Sequence, residues 1–327
     1  MSAALLLFSF ITFVEINCEN LFDFRPDSLQ NDTEFLPSSP RHWTPSRYWR
    51  KLGNISKAIL SCGGEGTEAP LPDFVALCEV ENDSVLIDLT RRSLLRNARY
   101  DYLVTHSSDS RGIDVALLYS PFSFSPLTHY GIRVKSCYLP RPTRDILYAK
   151  GLVATGDTLH IFVVHSPSRY GGESHSRPAR MAVAEHLCFS IDSLRSVSPR
   201  ANIIVAGDFN DYTGDVPLEY LCTTASLTDV TRHAKGKSNA KGTYRYKGRW
   251  GSLDHVLFSA SMVPLLMEAY VNDAPFLVED DMKYGGVKPL RSYTGYKFSP
   301  DGTSDHLPLV VKFAIPQPFG SGGDTVP

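Results

Sequence analysis

Eight apolar runs rich in Val, Ile, Phe and Tyr recur along this chain, and most of them lack the alternation of a strand with one face in water. They therefore predict strands that are covered on both faces. Three stretches between them place apolar residues three or four positions apart, as amphipathic helices do. The runs lie at 8–17, 73–80, 113–120, 145–155, 158–166, 202–210, 253–260 and 307–313, and the helices at 46–60, 82–97 and 176–197. Mixed strands with helices outside them predict a layered α/β fold, and the turn ATGDT between two runs predicts an antiparallel hairpin.

Composition allows one large domain. Of the 327 residues, 43% are hydrophobic and 21% are charged, which is enough for a sizeable packed core. Because no repeat, low-complexity tract or linker divides the chain, we predict one domain over 1–316 and a flexible tail over 317–327. The six cysteines form no CxxC pair and several lie in apolar runs, which indicates reduced structural thiols.

The first 17 residues bear on localisation. They are apolar but contain no Lys or Arg, and Glu15 and Asn17 interrupt them before the length of a membrane helix is reached. No membrane span is therefore expected. We favour a cytoplasmic monomer, with export after loss of a leader as the alternative.

The charge balance constrains the partner. A net charge of −2 weighs against a strongly basic nucleic-acid scaffold but allows a local basic patch. The stretch 232–249 interleaves Lys, Arg and Tyr, which suits contact with a nucleic-acid backbone and stacking on bases. A solvated loop is the alternative reading of this stretch.

Polar side chains end the apolar runs. In IIVAGDFND, Asp208 and Asn210 share one face because residues two apart on a strand do so, and Gly207 allows close backbone approach. They could supply oxygen ligands or a base beside an amide, and an Asx turn is the alternative.

Glu79 ends another run, where a buried carboxylate needs a partner or a cation such as Mg²⁺. A salt bridge to a nearby arginine is the alternative there.

Histidines and further acids stand at other strand ends. Asp305 and His306 precede the last run, where the carboxylate suits a cation and the imidazole suits a phosphate oxygen or a proton. Asp254 lies inside an apolar run and could fix the tautomer of an imidazole, or could be a hydrogen-bonded core residue. His165 ends the run at 158–166. Because a second histidine and several acids also stand at strand ends, we favour a catalytic role for His165 over a structural one.

Two arginines, Arg141 and Arg144, precede the run at 145–155. A guanidinium at this position could hold a phosphate through two parallel hydrogen bonds. A surface ion pair explains these residues equally well.

The motifs NCENLFD, CEVEN, RGIDVALLY, HSPSR, GDFND, GSLDHVLFS and SDHLPL, taken in this order, resemble those of the endonuclease/exonuclease/phosphatase superfamily. That superfamily includes pancreatic-type deoxyribonucleases, apurinic-site endonucleases, sphingomyelinases and inositol-polyphosphate phosphatases. The matching motifs extend from residue 11 to 313. The resemblance implies the fold of the superfamily, a four-layer α/β sandwich with two mixed, mainly antiparallel sheets packed face to face and helices outside.

The resemblance also implies how metal and water are held. Glu79 is similar to the principal Mg²⁺ ligand of the family, with Asp305 assisting and Asn17 beside the metal and the phosphate. Mn²⁺ or Ca²⁺ could replace Mg²⁺. Asp208 and Asn210 would position the attacking water and the phosphoryl group.

The remaining catalytic roles are likewise implied by the family. His306, paired with Asp254, would act on the water or the phosphate. His165 matches the histidine of the deoxyribonuclease branch that assists the leaving group, and Asp114 is the expected carboxylate partner of His165. Arg144 resembles the phosphate-holding arginine of that branch.

Two features distinguish subgroups. The apurinic-site enzymes have a Tyr where this chain has His165, so that subgroup is disfavoured. The NCENLFD opening and the GTYRYKGRWGSLDH stretch resemble a bacterial subgroup of the family.

Three functional classes follow. The first is a metal-dependent phosphoester hydrolase, foremost a Mg²⁺-dependent endonuclease or phosphodiesterase whose partner is nucleic acid. The second is a phosphatase, or a phosphodiesterase of lipids or small molecules, which the near-neutral charge leaves open. A non-catalytic binding module is disfavoured because every expected catalytic position is filled.

Overall fold

The computed structural model describes residues 8–27, 33–64, 70–139 and 141–317. Apart from Gln317, the predicted tail lies outside the described residues, as do the first seven residues of the stretch in which a leader was considered. The strands are β1 (Phe8–Leu21), β2 (Phe74–Val80), β3 (Asp101–Val104), β4 (Asp114–Tyr119), β5 (Phe124–Ile132), β6 (Ile146–Val153), β7 (Thr158–His165), β8 (Asn202–Asp208), β9 (Leu227–Asp229), β10 (Tyr244–Tyr246), β11 (Arg249–Gly251), β12 (Asp254–Ser259), β13 (Leu266–Val271), β14 (Val278–Asp280), β15 (Val287–Pro289), β16 (Tyr293–Thr294), β17 (Lys297–Phe298) and β18 (Leu309–Pro316). The helices are α1 (Pro45–Ser61), α2 (Asp83–Ile87), α3 (Glu173–Val197) and α4 (Val216–Thr224).

Most of these strands form two six-stranded sheets. The first sheet has the order β13-β18-β1-β2-β4-β3, and the second has the order β5-β6-β7-β8-β12-β9. Each sheet contains one parallel pair, β1 with β2 or β7 with β8, and its other pairs are antiparallel. The predicted sandwich of two mixed, mainly antiparallel sheets is confirmed.

The central strands are covered on both faces, as their unbroken apolar runs predicted. On β7, Ile161 and Val163 point into the core between the sheets, whereas Phe162 and Val164 belong to a second apolar cluster with α3 and α4. Alternate residues of one strand therefore serve two cores, because side chains alternate across a strand. Helices lie outside this arrangement, which gives four layers.

Helix α1 illustrates how sequence fixes an outer layer. The Thr44 hydroxyl accepts a hydrogen bond from the Arg47 backbone N–H, and Pro45 occupies the first turn, where its missing N–H costs nothing. The buried face carries Tyr48, Leu52 and Ile55 in the predicted helical spacing. The helix therefore covers the first sheet with an apolar stripe.

The prediction of one continuous helix over 82–97 is wrong, because the structure has three short helical segments there. Helix α2 ends at Ile87, a wider π-type turn covers Asp88–Arg92, and a 3₁₀ turn covers Leu94–Asn97. Asp88 is buried and accepts a hydrogen bond from the Tyr48 hydroxyl at 2.9 Å, so tertiary contact with α1 overrides the regular period.

The sequence also failed to indicate the solvent-facing edge strand β5, in which Pro126 and Gly131 weaken the strand pattern.

Both parallel pairs end at the same edge of the molecule. Strand β7 approaches β8 so closely that a Cβ on Gly207 would lie 1.8 Å from the Val164 carbonyl oxygen, and Gly207 has φ 144°, so only glycine fits there. This close approach aligns the ends of β7 and β8. The polar residues that terminate the strands therefore meet at one site.

Candidate active site

Strand register places three predicted residues in one row. His165 is the partner of Asp208 across β7 and β8, and Asp208 is the partner of Asp254 across β8 and β12. Residues paired across adjacent strands share a face, so all three side chains point to the same side of the sheet. The Nε2 atom of His165 lies 3.6 Å from Oδ2 of Asp208.

His306 completes this row from the first sheet. Its Nδ1 lies 2.8 and 3.0 Å from the two carboxylate oxygens of Asp254, and its Nε2 lies 4.0 Å from Oδ2 of Asp208. The Thr243 hydroxyl also donates to Asp254. Burial by itself lowers the pKa of His306, but Asp254, assisted by Asp208, raises that pKa well above its ordinary value. These surroundings favour the charged form of the buried His306 ring, whose Nε2 faces the site.

Asp208 is held by two amides. Its Oδ2 accepts from Nδ2 of Asn17 at 3.0 Å and its Oδ1 accepts from the backbone N–H of Asn210 at 2.8 Å. Asn210 has φ 52°, a left-handed conformation that Asn tolerates, and its Nδ2 donates to the Ser166 carbonyl. Burial, with repulsion from Asp254, raises the pKa of Asp208 to about 7 in spite of the attraction of His306. The carboxyl group is thus placed to exchange a proton near neutral pH.

His165 differs from His306. Burial, reinforced by the charges of Arg144 and Arg111, lowers its pKa well below the ordinary value. Its Nε2 faces Asp208 and Glu79, and its buried Nδ1 has no hydrogen-bond partner among the described residues. These surroundings favour the neutral form of the His165 ring.

The expected pairing of His165 with Asp114 is wrong. Asp114 opens β4, and its Oδ1 accepts hydrogen bonds from the Thr105 hydroxyl at 2.6 Å and from the Ser107 backbone N–H at 3.0 Å. Burial raises the pKa of Asp114. This carboxyl group fixes the loop that precedes β4 instead of orienting the imidazole.

Glu79 lies beside the row in a strained conformation. Its φ of 62° is unusual for a residue with a long side chain. Its Oε2 accepts from the backbone N–H of Asn20 at 2.9 Å, and its Oε1 accepts from Nη2 of Arg111 at 3.0 Å. Burial opposes ionisation, but Arg111 lowers the pKa of Glu79 below its ordinary value. Glu79 is therefore an ionised, buried carboxylate.

Asp305 lies in a second carboxylate–arginine group. Its Oδ2 is 3.2 Å from Nη2 of Arg291, which also binds the buried carboxylate of Glu19 at 2.8 Å. Glu19 accepts from the Ser292 backbone N–H, and Lys51 donates to the Ser292 hydroxyl behind it. These contacts fasten the segment that carries Asp305 to the end of β1.

Arg144 is close to the row but engaged by protein. Its Nη1 donates to Asp109 at 3.1 Å and its Nη2 donates to the Ser166 carbonyl at 2.7 Å, which leaves only Nε without a partner among the described residues. The guanidinium is buried. In this structure Arg144 supports the loop after His165, and its predicted phosphate contact stays a prediction.

Two sets of side chains could hold a metal ion. Within the described ranges, Asp208, Asp254 and His306 are the group of at least three acids, histidines or cysteines whose ligand atoms all lie within 4.8 Å of one another. A histidine must be neutral to bind a metal ion. This set could therefore bind a metal only when His306 is deprotonated. The predicted set of Glu79, Asp305 and Asn17 has the oxygen donors that suit Mg²⁺, but in this structure Glu79 binds Arg111, Asp305 binds Arg291, and the Asn17 amide oxygen accepts from the Glu19 backbone N–H at 2.8 Å.

Sequence reasoning missed residues that reach the site from loops. They are Arg111 and Arg291, each about half exposed and bound to a predicted metal carboxylate, and Tyr244, whose ring lies 4.9 Å from that of His306. Arg111 stands in the motif RGIDVALLY, directly before a strand whose end had already been singled out. Arg291 stands in a segment without a readable motif, whereas Tyr244 opens strand β10 within the stretch GTYRYKGRWGSLDH, from which no role for it was predicted.

Comparison with known proteins defines the family. The model of the Endonuclease/Exonuclease/phosphatase family matches residues 11–315. The chain belongs to this family. Its members are hydrolases that act on phosphoester bonds and depend on divalent metal ions, so the prediction of a phosphoester hydrolase is confirmed. A search of curated proteins finds no match to this sequence.

Solved structures share the fold. An endonuclease/exonuclease/phosphatase family protein from Bacteroides thetaiotaomicron is 15% identical with a TM-score of 0.59, and the match covers 94% of this chain and 99% of that one. A mannosyl-6-phosphatase from the same organism is 14% identical with a TM-score of 0.57, covering 93% and 99%. Truncated Caenorhabditis elegans TDP2 is 17% identical with a TM-score of 0.53, covering 94% and 98%. At these identities the likeness establishes the fold alone.

No α-helix in the described ranges has the length and apolarity needed to cross a membrane. All six cysteines are free, and four of them are buried, which agrees with the prediction of reduced structural thiols.

Proposed function

We propose that this chain is a Mg²⁺-dependent phosphodiesterase whose substrate is nucleic acid. The observation that carries the proposal is the row in which Asp208 lies within 4.0 Å of both His165 and His306. The surroundings raise the pKa of His306 and lower that of His165, so they favour a charged ring at one position and a neutral ring at the other. Groups with opposite proton occupancy around one carboxyl are suited to move protons during hydrolysis.

The metal would be held by Glu79, with Asp305 and Asn17 beside it. The fit rests on the donor chemistry, since Glu79 presents an ionised carboxylate that already attracts the guanidinium of Arg111. When bound, Mg²⁺ would neutralise charge on the phosphate oxygens and polarise a water molecule. Mn²⁺ or Ca²⁺ would suit the same oxygen donors.

The residues of the row would share the proton transfers. Asp208 accepts the proton of the attacking water, because its pKa of about 7 makes the carboxylate available at neutral pH. The Nε2–H of His306 donates to a non-bridging oxygen of the phosphate and stabilises its developing charge. Asn210 and Asn17 hold Asp208 in place through their hydrogen bonds.

His165 would serve the leaving oxygen. Burial, reinforced by the charges of Arg144 and Arg111, lowers its pKa and favours the neutral ring in the free protein. A bound phosphodiester adds negative charge nearby and thereby raises the pKa of His165, so that Nε2 can carry the proton that the leaving oxygen needs. The P–O bond to water forms, the P–O bond to the leaving group breaks, and that oxygen departs as an alcohol.

The test compares wild type with His306→Ala on supercoiled plasmid, bis-p-nitrophenyl phosphate and p-nitrophenyl phosphate, each with Mg²⁺ and with EDTA. His129→Ala is the matched control, because His129 is exposed on β5. We expect plasmid nicking that requires Mg²⁺ and His306 but not His129. Full activity of His306→Ala, or of the wild type in EDTA, would contradict the mechanism.

A small phosphomonoester is the second candidate substrate, and one observation favours it. In the stretch 232–249, Arg232 pairs with Glu219, Lys237 pairs with Glu268, and Arg245 is turned inward to bind backbone carbonyls. These three cations are therefore not free to follow a nucleic-acid backbone. Hydrolysis of p-nitrophenyl phosphate without plasmid nicking would select this candidate.

A further inference from the structure

A second basic pocket borders the active site. The connection between β5 and β6 and the loop before β4 enclose a cavity of about 360 Å³. Its lining includes three cationic side chains, Arg133, Lys135 and Arg141, against one carboxylate, Asp145. The pocket therefore carries net positive charge, which suits an anion.

This pocket and the catalytic row share a wall. Ser108 and Thr143 line the pocket, and the residues that follow them, Asp109 and Arg144, bind each other at 3.1 Å. Arg144 in turn binds the carbonyl of Ser166, the residue after His165. A group in the pocket would thus lie one side-chain layer from the leaving-group side of the row.

One buried hydroxyl indicates that the pocket is built for a ligand. Thr143 is only 6% exposed, and its Oγ1 has no hydrogen-bond partner among the described residues. Burying an unpaired hydroxyl costs free energy, which a bound acceptor would remove. A phosphate oxygen is such an acceptor, and the neighbouring cations would balance its charge.

The cations are available. Arg133 lies 3.9 Å from Asp145, at the limit of an ion pair, and in the described part of the chain neither Lys135 nor Arg141 forms one. Exposed basic residues on a loop are often simply solvated. Here they surround a buried, unpaired hydroxyl, which solvation alone does not explain.

We propose that this pocket binds a second phosphate of the substrate, the one that neighbours the scissile phosphodiester in a nucleic-acid strand. The inference rests on the proposed function and narrows it, because a substrate with a single phosphate would leave the pocket empty. It also assigns the contact with that phosphate to Arg141 and Lys135, which line the pocket.

The test uses a thymidine dinucleotide without a terminal phosphate, with a 5′-phosphate and with a 3′-phosphate. The variant K135Q/R141Q removes two charges from the pocket. The matched control K150Q/R200Q removes the same two residue types from a pocket at the far end of the same sheet. We expect one terminal phosphate to raise the wild-type kcat/KM about tenfold or more, and the first variant alone to lose this gain. An equal gain in all three proteins, or no gain in the wild type, would overturn the proposal.

Binding in EDTA separates this proposal from the proposed function. Calorimetry with the phosphorylated dinucleotide should show affinity about tenfold weaker for K135Q/R141Q than for K150Q/R200Q, whether or not any hydrolysis is detected. Thr143→Val adds a second criterion. It should weaken binding while leaving thermal stability unchanged or higher, because the unpaired hydroxyl is gone. Unchanged binding in Thr143→Val and in K135Q/R141Q would refute the subsite while leaving hydrolysis intact.

Discussion

The two histidines beside Asp208 occupy contrasting environments. His306 comes from the first sheet and has both oxygens of Asp254 against its Nδ1. His165 ends a strand of the second sheet, its Nδ1 has no hydrogen-bond partner in the described part of the chain, and the positive charges of Arg144, Arg111 and His306 lie close enough to lower its pKa. Equal burial thus gives opposite protonation, because the partner of each ring decides which form is stable. The difference is the basis on which we propose electrostatic stabilisation for His306 and proton transfer for His165.

The largest expected effect is on turnover. His306→Ala should lower kcat by about 10²–10⁴-fold on both bis-p-nitrophenyl phosphate and an oligonucleotide, because it removes a preorganised charge. His165→Ala should cost much less on bis-p-nitrophenyl phosphate, since nitrophenolate leaves without a proton. Steady-state kinetics on the two substrates measures the contrast. Equal losses for the two variants on both substrates would show that the histidines share one role.

The stability of the two variants should depend on pH with opposite slopes. The raised pKa of His306 stabilises the folded wild type fully below about pH 6.5, and this stabilisation is lost as pH rises through the folded pKa. The loss of unfolding free energy caused by His306→Gln should therefore become smaller as pH rises above about 6.5. The lowered pKa of His165 means that folding expels a proton, so the wild type loses stability as pH falls below about 6.5 and His165→Gln should gain relative to it. Urea unfolding in EDTA from pH 5 to 9 tests both signs.

Glu15 should make a third pH-dependent contribution to stability, with the same sign as that of His306. It is fully buried, neither of its oxygens has a hydrogen-bond partner among the described residues, and burial with the charges of Asp254 and Asp208 raises its pKa well above the ordinary value. The folded protein therefore holds a proton that the unfolded chain releases above about pH 4.5, so stability falls as pH rises through this window. Glu15→Gln should gain about 1.4 kcal/mol per pH unit relative to the wild type, whatever its constant offset.

That slope is measured by urea unfolding of the two proteins at several pH values above 5, again in EDTA. Thr12→Val is a control from the same strand that titrates nothing. A pH-independent difference between Glu15→Gln and the wild type would mean that Glu15 is ionised in the folded state.

The smallest expected effect concerns Asp114. Because this carboxyl group binds Thr105 and Ser107 and does not contact the imidazole, Asp114→Asn should change kcat only a few-fold and leave the pH–rate profile unshifted. Kinetics from pH 5 to 9 would check this. If Asp114→Asn shifted the pH–rate profile as a variant of His165 is expected to do, the predicted pairing of Asp114 with His165 would be supported after all.

Sequence sufficed where strand periodicity sets position. His165 and Asp208 stood out because each ends an apolar run, Asp254 because it is a carboxylate inside one, and the family resemblance then implied that the three serve one site. Glu79 and His306 followed from the same pattern in the other sheet. The family fold could be anticipated for the same reason, since its motifs stand at those strand ends.

Sequence failed where long side chains cross between loops. A salt bridge from Glu79 to an arginine was an alternative reading of the sequence, but nothing in the chain order identified Arg111 as that partner or indicated that Arg291 reaches Asp305, because loop paths are not periodic. Asp114 was assigned to the wrong partner for a related reason. Its position at the strand end was right, but the direction of its carboxylate depends on the backbone of the preceding loop.

The most direct test of the contrast between the histidines is an NMR titration of their imidazole carbons in the metal-free protein, assigned with His306→Gln and His165→Gln. We predict that His306 remains protonated at pH 8 and that His165 remains neutral at pH 6. If both rings titrate together near pH 6.5, Asp254 does not hold a charged imidazole and the division of roles between the two histidines is contradicted.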